Sequence, residues 1–398
     1  MSRLSKNVYI VAAKRTPWGA FSGKLANFTA TELGGLASVA AIKQLPEGTK
    51  VDSTIYGNVV GTSADAPYLA RHIGLRAGLA IETPGLTINR LCGSGFQSVI
   101  NAAQEILLDE AKIVLAGGTE SMSQAPHVLR GARTGARFGI DMKLEDSLAS
   151  ALTDSYPTKT PMGITAENLG KMYGITRQEV DEYALMSQQR WAKAHKEGIF
   201  KSEIAPVELK SRKGVEQFDY DEHARPETTI ASLQKLKPVF IKDIGLVTAG
   251  NASGISDGAC SLVVAGEEAV KENGIKPLAR IVDWYYTGCE PTIMGIGPVP
   301  AIQNLLKRTG ISLADVDLVE INEAFAAQVL ACVKELGLDV NKVNQNGGSI
   351  AMGHPLGASG ARILTHLTYE LHRTQGKYAI GSACIGGGQG IAVLLERV

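Results

Sequence analysis

The sequence predicts an α/β protein built from two similar halves around sheets covered by helices. Three observations lead there. Short apolar runs with β-type composition alternate along the chain with segments of helical periodicity, the pattern that produces a mainly parallel sheet with helices on its faces. The order of motifs in the first 120 residues is repeated in the last 90 or so, which points to two half-domains of one plan. Finally, the 398 residues include 44 glycines but few aromatics, a mix that suits close packing of helices on strands and tight turns between them.

In chain order, Val8–Ala13 reads as the first strand and Thr31–Lys43 as the helix that follows. Thr54–Val60 is the next strand, and Gly95–Leu108 is a helix leading into the strand Ile113–Gly117. A charged, helix-rich stretch, 122–244, interrupts this pattern; within it Gln178–Lys196 is amphipathic and expected to pack on the surface. Ser261–Ala265 and Ala279–Tyr285 resume the strands, followed by the helix Val299–Arg308 and the strand Leu318–Ile321. The helix Gly357–Arg373 and the strands Tyr378–Ala383 and Ile391–Leu395 complete the chain. The repeat is visible in detail. Val51-Asp52 opens a strand ending near Asn58, followed by Cys92, a helix and a strand ending at Gly117-Gly118; Val316-Asp317 opens a strand ending at Asn322, followed by His354, a helix and a strand ending at Cys384. The expected division is 1–121 with 245–270 as one half-domain, 122–244 as an inserted loop domain and 271–398 as the other half-domain. An insertion of this kind commonly covers the distal part of a ligand.

Charge and cysteine usage narrow the function. Lysines plus arginines equal the acids at 40 each, so no overall basic field favours nucleic acid. Five cysteines with no C-x-x-C pair argue against a disulfide framework and a zinc site, and for a reducing compartment. No apolar run reaches the ~18 residues of a membrane span. Only Met1–Lys6 precede the first strand, so no removable presequence is expected. Phosphate-loop, H-E-x-x-H and G-x-S-x-G motifs are absent from the sequence, and Gly295-Ile296-Gly297 leads into Pro298 instead of a dinucleotide-binding turn.

Three glycine-framed blocks carry the chemistry. Cys92, in Asn89-Arg90-Leu91-Cys92-Gly93-Ser94-Gly95, lies where a strand should turn into a helix; free N–H groups and the helix dipole there favour a thiolate. The same position would also suit a buried structural cysteine. His354, between Gly353 and Pro355, is held at a second helix start, where an imidazole can accept a thiol proton or donate to an oxyanion, although a lone histidine is more often structural. Cys384 ends an apolar strand and enters Gly386-Gly387-Gly388; it could move a proton at carbon, or serve only as a small strand residue. Asn322, in Asn322-Glu323-Ala324-Phe325-Ala326, could hold a water or a substrate contact.

Together these blocks resemble the thiolase family along almost the whole chain, in particular its mitochondrial 3-ketoacyl-CoA branch. Val11–Pro17, Gly117–Ser123 and Asp221–Pro226 add to the likeness. The resemblance implies the thiolase fold: two βαβαβαββ half-domains with five-stranded sheets, five layers in the order αβαβα, and the inserted loop domain. It implies thiolytic cleavage of 3-ketoacyl-CoA in fatty-acid β-oxidation, reversible by Claisen condensation. Cys92 would be acylated, His354 would assist it, and Cys384 would protonate the departing carbanion. His354 with a water on Asn322 would form one oxyanion pocket, and the N–H groups of Cys92 and Gly386 the other. Coenzyme A would enter as co-substrate, with no bound prosthetic group and no metal, near Arg225 and Thr228 at its nucleotide end and Ser253 at its pantetheine. A homodimer or homotetramer in the mitochondrial matrix is implied, with the cytoplasm as the alternative. Pro161 stands before Met162-Gly163 where short-chain members commonly carry histidine, a departure that disfavours strict acetoacetyl-CoA specificity. The alternatives are a biosynthetic acetyl-CoA acetyltransferase and a catalytically silent acyl-CoA- or lipid-binding relative.

Overall fold

The computed structural model describes residues 4–157, 159–212 and 214–398. The first half runs β1 (Val8–Arg15), α1 (Ala30–Ile42), β2 (Ser53–Gly57), α2 (Leu69–Arg76), β3 (Gly85–Ile88), α3 (Ser94–Leu107) and β4 (Ile113–Ser121). After a long excursion containing α4 (Met162–Tyr173) and α5 (Arg177–Lys196), the chain returns as β5 (Ser256–Gly266). The second half follows as β6 (Ala279–Gly288), α6 (Pro298–Thr309), β7 (Leu318–Ile321), α7 (Ala326–Leu336), α8 (Leu356–Thr374), β8 (Tyr378–Ile385) and β9 (Gln389–Arg397). No helix among the described residues is long and apolar enough to cross a membrane.

Strands of the first half lie in the order β3-β2-β4-β5-β1, and those of the second in the matching order β7-β8-β9-β6. The halves meet edge to edge through two paired positions, Tyr9 with Arg280 and Ile10 with Ala279. The expectation of a mainly parallel sheet is corrected: β2–β3, β2–β4 and β7–β8 are parallel, but β1–β5, β4–β5, β6–β9 and β8–β9 are antiparallel. The reason is how each half closes: β8 and β9 are joined by a tight turn, which makes an antiparallel pair, and the long β4-to-β5 excursion likewise returns the chain in the opposite direction.

The second sheet is also one strand short of the five expected. Where the counterpart of β3 would run, only an isolated bridge joins Val343 to Val319. The next residue, Asn344, turns left-handed at φ 53°. Its side chain replaces the backbone ladder, accepting from the Ile321 N–H at 2.8 Å and donating to the Ile321 carbonyl at 2.9 Å.

Helix boundaries follow local chemistry. Thr29 and Glu32 form a reciprocal capping box at the start of α1, and Thr176 and Glu179 do so for α5, confining the expected amphipathic helix to Arg177–Lys196. Helices α4, α6 and α7 end on Gly174, Gly310 and Gly337, each left-handed. Short strands and helices missing from the sequence reading, including β3, α2, α4 and α7, complete the architecture.

The core lies between the two sheets, where α3 and α8 form the middle layer. Phe96, Val99 and Ile100 of α3 pack with Ile363, Leu364 and Leu367 of α8, between Val114 and Val264 of the first sheet and Ala383 and Val393 of the second. The outer face of the first sheet packs on α1 and α2, and that of the second on α6 and α7, giving five layers. The central helices approach so closely that a Cβ on Gly95 would lie 2.4 Å from the backbone nitrogen of Ala361. Glycine is required there by contact, not by backbone angle. This crossing sets the N-terminal ends of α3 and α8, with Cys92 and His354 just before them, against each other.

Candidate active site

A cavity of about 510 Å³ opens between the halves and the 122–244 segment. Cys92, Ser253 and His354 line it, and the remaining wall is largely apolar: Met122, Leu152 and Met162 on one side, Phe240, Met294 and Phe325 on others. A groove of similar size elsewhere, about 530 Å³ at Trp284, Tyr285, Tyr286 and Arg308, is lined by no thiol or imidazole.

Cys92 follows Leu91, which is left-handed at φ 48°, and precedes Gly93 at the N-terminal end of α3. The turn is knotted by Ser94: its Oγ accepts from the Arg90 N–H at 2.8 Å and donates to the Leu91 carbonyl at 2.7 Å. Gly93 lies directly on the Cys384 strand, since a Cβ there would meet the Ile385 Cδ1 at 2.5 Å. The N–H groups of Gly386 and of Cys92 itself are directed at the Cys92 sulfur. Cys92 lines the cavity and is only half-buried, yet the protein crowded around its thiol raises it to about 11, an effect the two N–H donors only partly offset. The expectation that a helix start would favour a thiolate is therefore corrected: desolvation outweighs the N–H donors that face the sulfur.

His354 is buried just before α8. Its backbone N–H donates to the Gly254 carbonyl at 2.8 Å; its Nδ1 lies 2.6 Å from Ser359 Oγ, and its Nε2 3.3 Å from Asn322 Nδ2. Burial, reinforced by the positive charge of Arg362, lowers His354 to about 4, so the ring is neutral near pH 7. Asn322 directly follows β7, and its Oδ1 accepts from the Ser349 hydroxyl at 2.6 Å. The neighbouring Glu323 fastens this corner, accepting from Tyr183, Ser187, Asn344 and the Ile350 N–H.

Cys384 is fully buried near the end of β8, in an apolar cluster with Met294 and Ala324, against Met162 and Phe325. These four neighbours also line the cavity, so Cys384 lies behind its wall. Burial first, and then the nearby thiols of Cys92, Cys332 and Cys289, push Cys384 well above the usual thiol range. A neutral thiol beside a reacting carbon can donate a proton and, once deprotonated, take one back.

The residues read as coenzyme A contacts are spread more widely. Ser253 lines the cavity, its N–H donating to the Ala324 carbonyl at 3.0 Å. Arg225 is exposed and Thr228 half-buried, on a turn closed by the Thr228 hydroxyl and the Arg225 carbonyl at 2.7 Å, and neither is in the cavity wall. This turn is tied to the site through His223, whose ring occupies the space a Cβ on Gly254 would fill.

Glu120 had no assigned role in the sequence reading. Buried at the end of β4, it accepts from Asn58 Nδ2 and from the N–H groups of Val59, Val60 and Gly357, all at 2.9 to 3.1 Å. It thereby ties the loop after β2 to the start of α8, three residues past His354. Burial raises it to about 7 against those donors. A charged residue inside the small-residue block Gly117–Ser123 was the available signal, as Glu323 beside Asn322 and Ser359 inside the histidine block were for theirs.

Two family models cover the chain: the thiolase N-terminal domain over residues 8–268 and the thiolase C-terminal domain over residues 275–397. Among curated relatives, the human mitochondrial 3-ketoacyl-CoA thiolase is 59% identical over 396 residues, covering 99% of both chains. An acetyl-CoA acetyltransferase of Chromobacterium violaceum is 48% identical, covering 98% of this chain and 99% of its own. The crystal structure of the human mitochondrial 3-ketoacyl-CoA thiolase in complex with CoA superposes with a TM-score of 0.96 at 57% identity, covering 99% of each chain.

Proposed function

The chain belongs to the thiolase family, and from that membership and the chemistry of the cavity we propose that it is a mitochondrial 3-ketoacyl-CoA thiolase. It cleaves 3-ketoacyl-CoA with coenzyme A as co-substrate, giving acetyl-CoA and a shortened acyl-CoA, as in fatty-acid β-oxidation, and runs in reverse as a Claisen condensation. The observation that carries this reading is the meeting of two glycine-framed cysteines with a buried histidine–asparagine pair at one apolar cavity.

In the proposed sequence the Cys92 sulfur attacks the 3-keto carbon while its proton passes to His354 Nε2. The tetrahedral oxyanion is met by the Cys92 and Gly386 N–H groups, which already converge on the sulfur. Breaking the C2–C3 bond leaves the acyl group on Cys92 and a CoA-bound enolate, whose oxygen faces His354 and a water held by Asn322. Cys384 gives its proton to the enolate carbon, which releases acetyl-CoA. A second coenzyme A thiol then gives its proton to the Cys384 thiolate and attacks the acyl-Cys92 carbonyl; the acyl group leaves on coenzyme A, and the imidazolium of His354 returns its proton to the Cys92 sulfur. Two easier steps replace one difficult one.

Ser253 in the wall suits the pantetheine, and Arg225 with Thr228 on the outer turn suits the nucleotide end, where an arginine can pair with phosphate. The segment 122–244 acts as the loop domain over two half-domains, 1–121 with 245–270 and 271–398. Assembly as a homodimer or homotetramer is favoured by the edge strand β3, which among the described residues pairs only with β2 and exposes Leu86.

The cavity accepts chains longer than acetoacetyl: Pro161, Met162 and Gly163 contribute apolar or small wall, and each buried methylene could add up to ~0.8 kcal/mol. A CoA-dependent cleavage assay from acetoacetyl-CoA to long-chain 3-ketoacyl-CoA tests this. Useful kcat/KM on medium chains is expected. Activity confined to acetoacetyl-CoA, with a loss of more than about a hundredfold on adding two methylenes, would move the chain to the acetyl-CoA acetyltransferase branch.

A further inference from the structure

We infer that the Ser359 hydroxyl is a positioning group that fixes His354 as the Nδ1–H tautomer and leaves Nε2 unprotonated, its lone pair accepting from the Asn322 amide. The inference rests on the thiolase reading for its catalytic meaning but on hydrogen counting for its content. Four buried side chains form a line: Ser349, Asn322, His354 and Ser359. Successive polar atoms are separated by 2.6 Å (Ser349 Oγ to Asn322 Oδ1), 3.3 Å (Asn322 Nδ2 to His354 Nε2) and 2.6 Å (His354 Nδ1 to Ser359 Oγ). The line ends at the Pro355 carbonyl, 3.0 Å from Ser359 Oγ.

Hydrogens can run along this line in two directions. In the first, Ser349 donates to Asn322, Asn322 to Nε2, Nδ1–H to Ser359, and Ser359 to the Pro355 carbonyl; every hydrogen on the line has an acceptor. In the second, the Asn322 amide is turned over, Nε2–H donates to it and Ser359 donates to Nδ1. The Pro355 bond is then lost, because a hydroxyl has one hydrogen, and the Ser349 hydrogen is left without an acceptor in a fully buried position. A buried donor without a partner is disfavoured, so the first direction prevails. Ser359 decides between them, because its helical back-bond to Pro355 commits its only hydrogen and leaves its oxygen as an acceptor.

The consequence is catalytic. A neutral ring unprotonated at Nε2 can take the Cys92 proton as the sulfur electron pair attacks carbon, the weak 3.3 Å contact from Asn322 Nδ2 giving way as it does so. The imidazolium so formed still gives Nδ1–H to Ser359 and now offers Nε2–H to an oxyanion. The lowered basicity of His354, caused mainly by burial, keeps the resting ring neutral, so that a tautomer choice exists at all.

The test combines spectroscopy with kinetics on the full-length enzyme. Solid-state NMR of protein carrying 15N-histidine, with the His354 signals assigned by their loss in His354→Ala, should show a protonated Nδ1 and a bare Nε2. In Ser359→Ala the population should shift toward Nε2–H, and single-turnover acylation of Cys92 should slow by roughly tenfold to a hundredfold with the KM for coenzyme A unchanged. Ser359→Thr, which keeps the hydroxyl, should restore both. A wild-type ring protonated at Nε2, or a Ser359→Ala enzyme with an unaltered tautomer and acylation rate, would overturn the inference. A bare Nε2 in a protein unable to cleave any 3-ketoacyl-CoA would instead refute the thiolase reading and leave the tautomer assignment standing.

Discussion

The resting state of the nucleophile can be tested through the pH dependence of its alkylation. With Cys92 raised to about 11 and His354 lowered to about 4, both mainly by burial, the proton stays on sulfur in the free enzyme. Thiol and imidazole therefore rest neutral, and the thiolate fraction at pH 7.5 is about three in ten thousand. Proton transfer must then be coupled to carbon attack instead of preceding it. If iodoacetamide is mixed with the enzyme and the Cys92 peptide quantified by mass spectrometry, its alkylation should accelerate about tenfold per pH unit from pH 7 to pH 9.5, without levelling off. His354→Asn should leave that rate nearly unchanged while suppressing acylation by substrate. The same peptide distinguishes Cys92 from Cys289, whose thiol is also raised to about 11. A plateau of fast alkylation between pH 6 and pH 8, abolished by His354→Asn, would reveal a preformed thiolate–imidazolium pair and refute the reasoning.

Three further outcomes follow from the geometry. Cys384→Ala should still take up an acetyl group from acetyl-CoA but lose solvent exchange at the acetyl-CoA methyl protons, and undiminished exchange would contradict its role as the proton carrier. Glu203 is buried against Arg15 at 2.7 Å and His366 at 2.8 Å; despite desolvation these cations hold it at about 2, against 4.5 for the free side chain. Because its folded pKa is depressed, its contribution, about 3 kcal/mol, is present above pH 4.5 and is lost as pH falls toward 2. In urea unfolding the stability gap between wild type and Glu203→Gln should therefore shrink across that window, and a pH-independent gap would contradict the assignment. Gly95→Ala places a methyl 2.4 Å from the Ala361 backbone, so it should cost about 1–3 kcal/mol in the same assay, and an unaltered midpoint would show that α3 and α8 can separate freely.

What was legible in the sequence was what local pattern encodes. The apolar runs at Val8 and Ile113, the repeat of strand, motif, helix and strand, and the glycines around Cys92, His354 and Cys384 report backbone geometry directly, and so the fold class and site blocks were readable. Strand direction was less so, because whether β4 pairs parallel or antiparallel with β5 depends on a distant return, at Asp257 facing Ser121. The missing strand before Asn344 was hidden because a side chain took over the backbone ladder, which no periodicity records. Residues that act by holding others were the hardest to find. Glu120 reaches Gly357 across 237 positions, and Glu323 gathers partners from three separate segments. The thiol basicity was misjudged for a related reason: the helix start is a local feature, whereas the desolvation of Cys92 is created by both halves closing on it.

One measurement bears on the proposed chemistry more than any other: rapid quenching of the enzyme with a medium-chain 3-ketoacyl-CoA in the absence of free coenzyme A, followed by peptide mass spectrometry. An acyl group two carbons shorter than the substrate acyl chain should be found on Cys92, formed together with one equivalent of acetyl-CoA and discharged when coenzyme A is added. An unmodified Cys92, or an acyl group on another residue with turnover retained by Cys92→Ala, would contradict the proposed function.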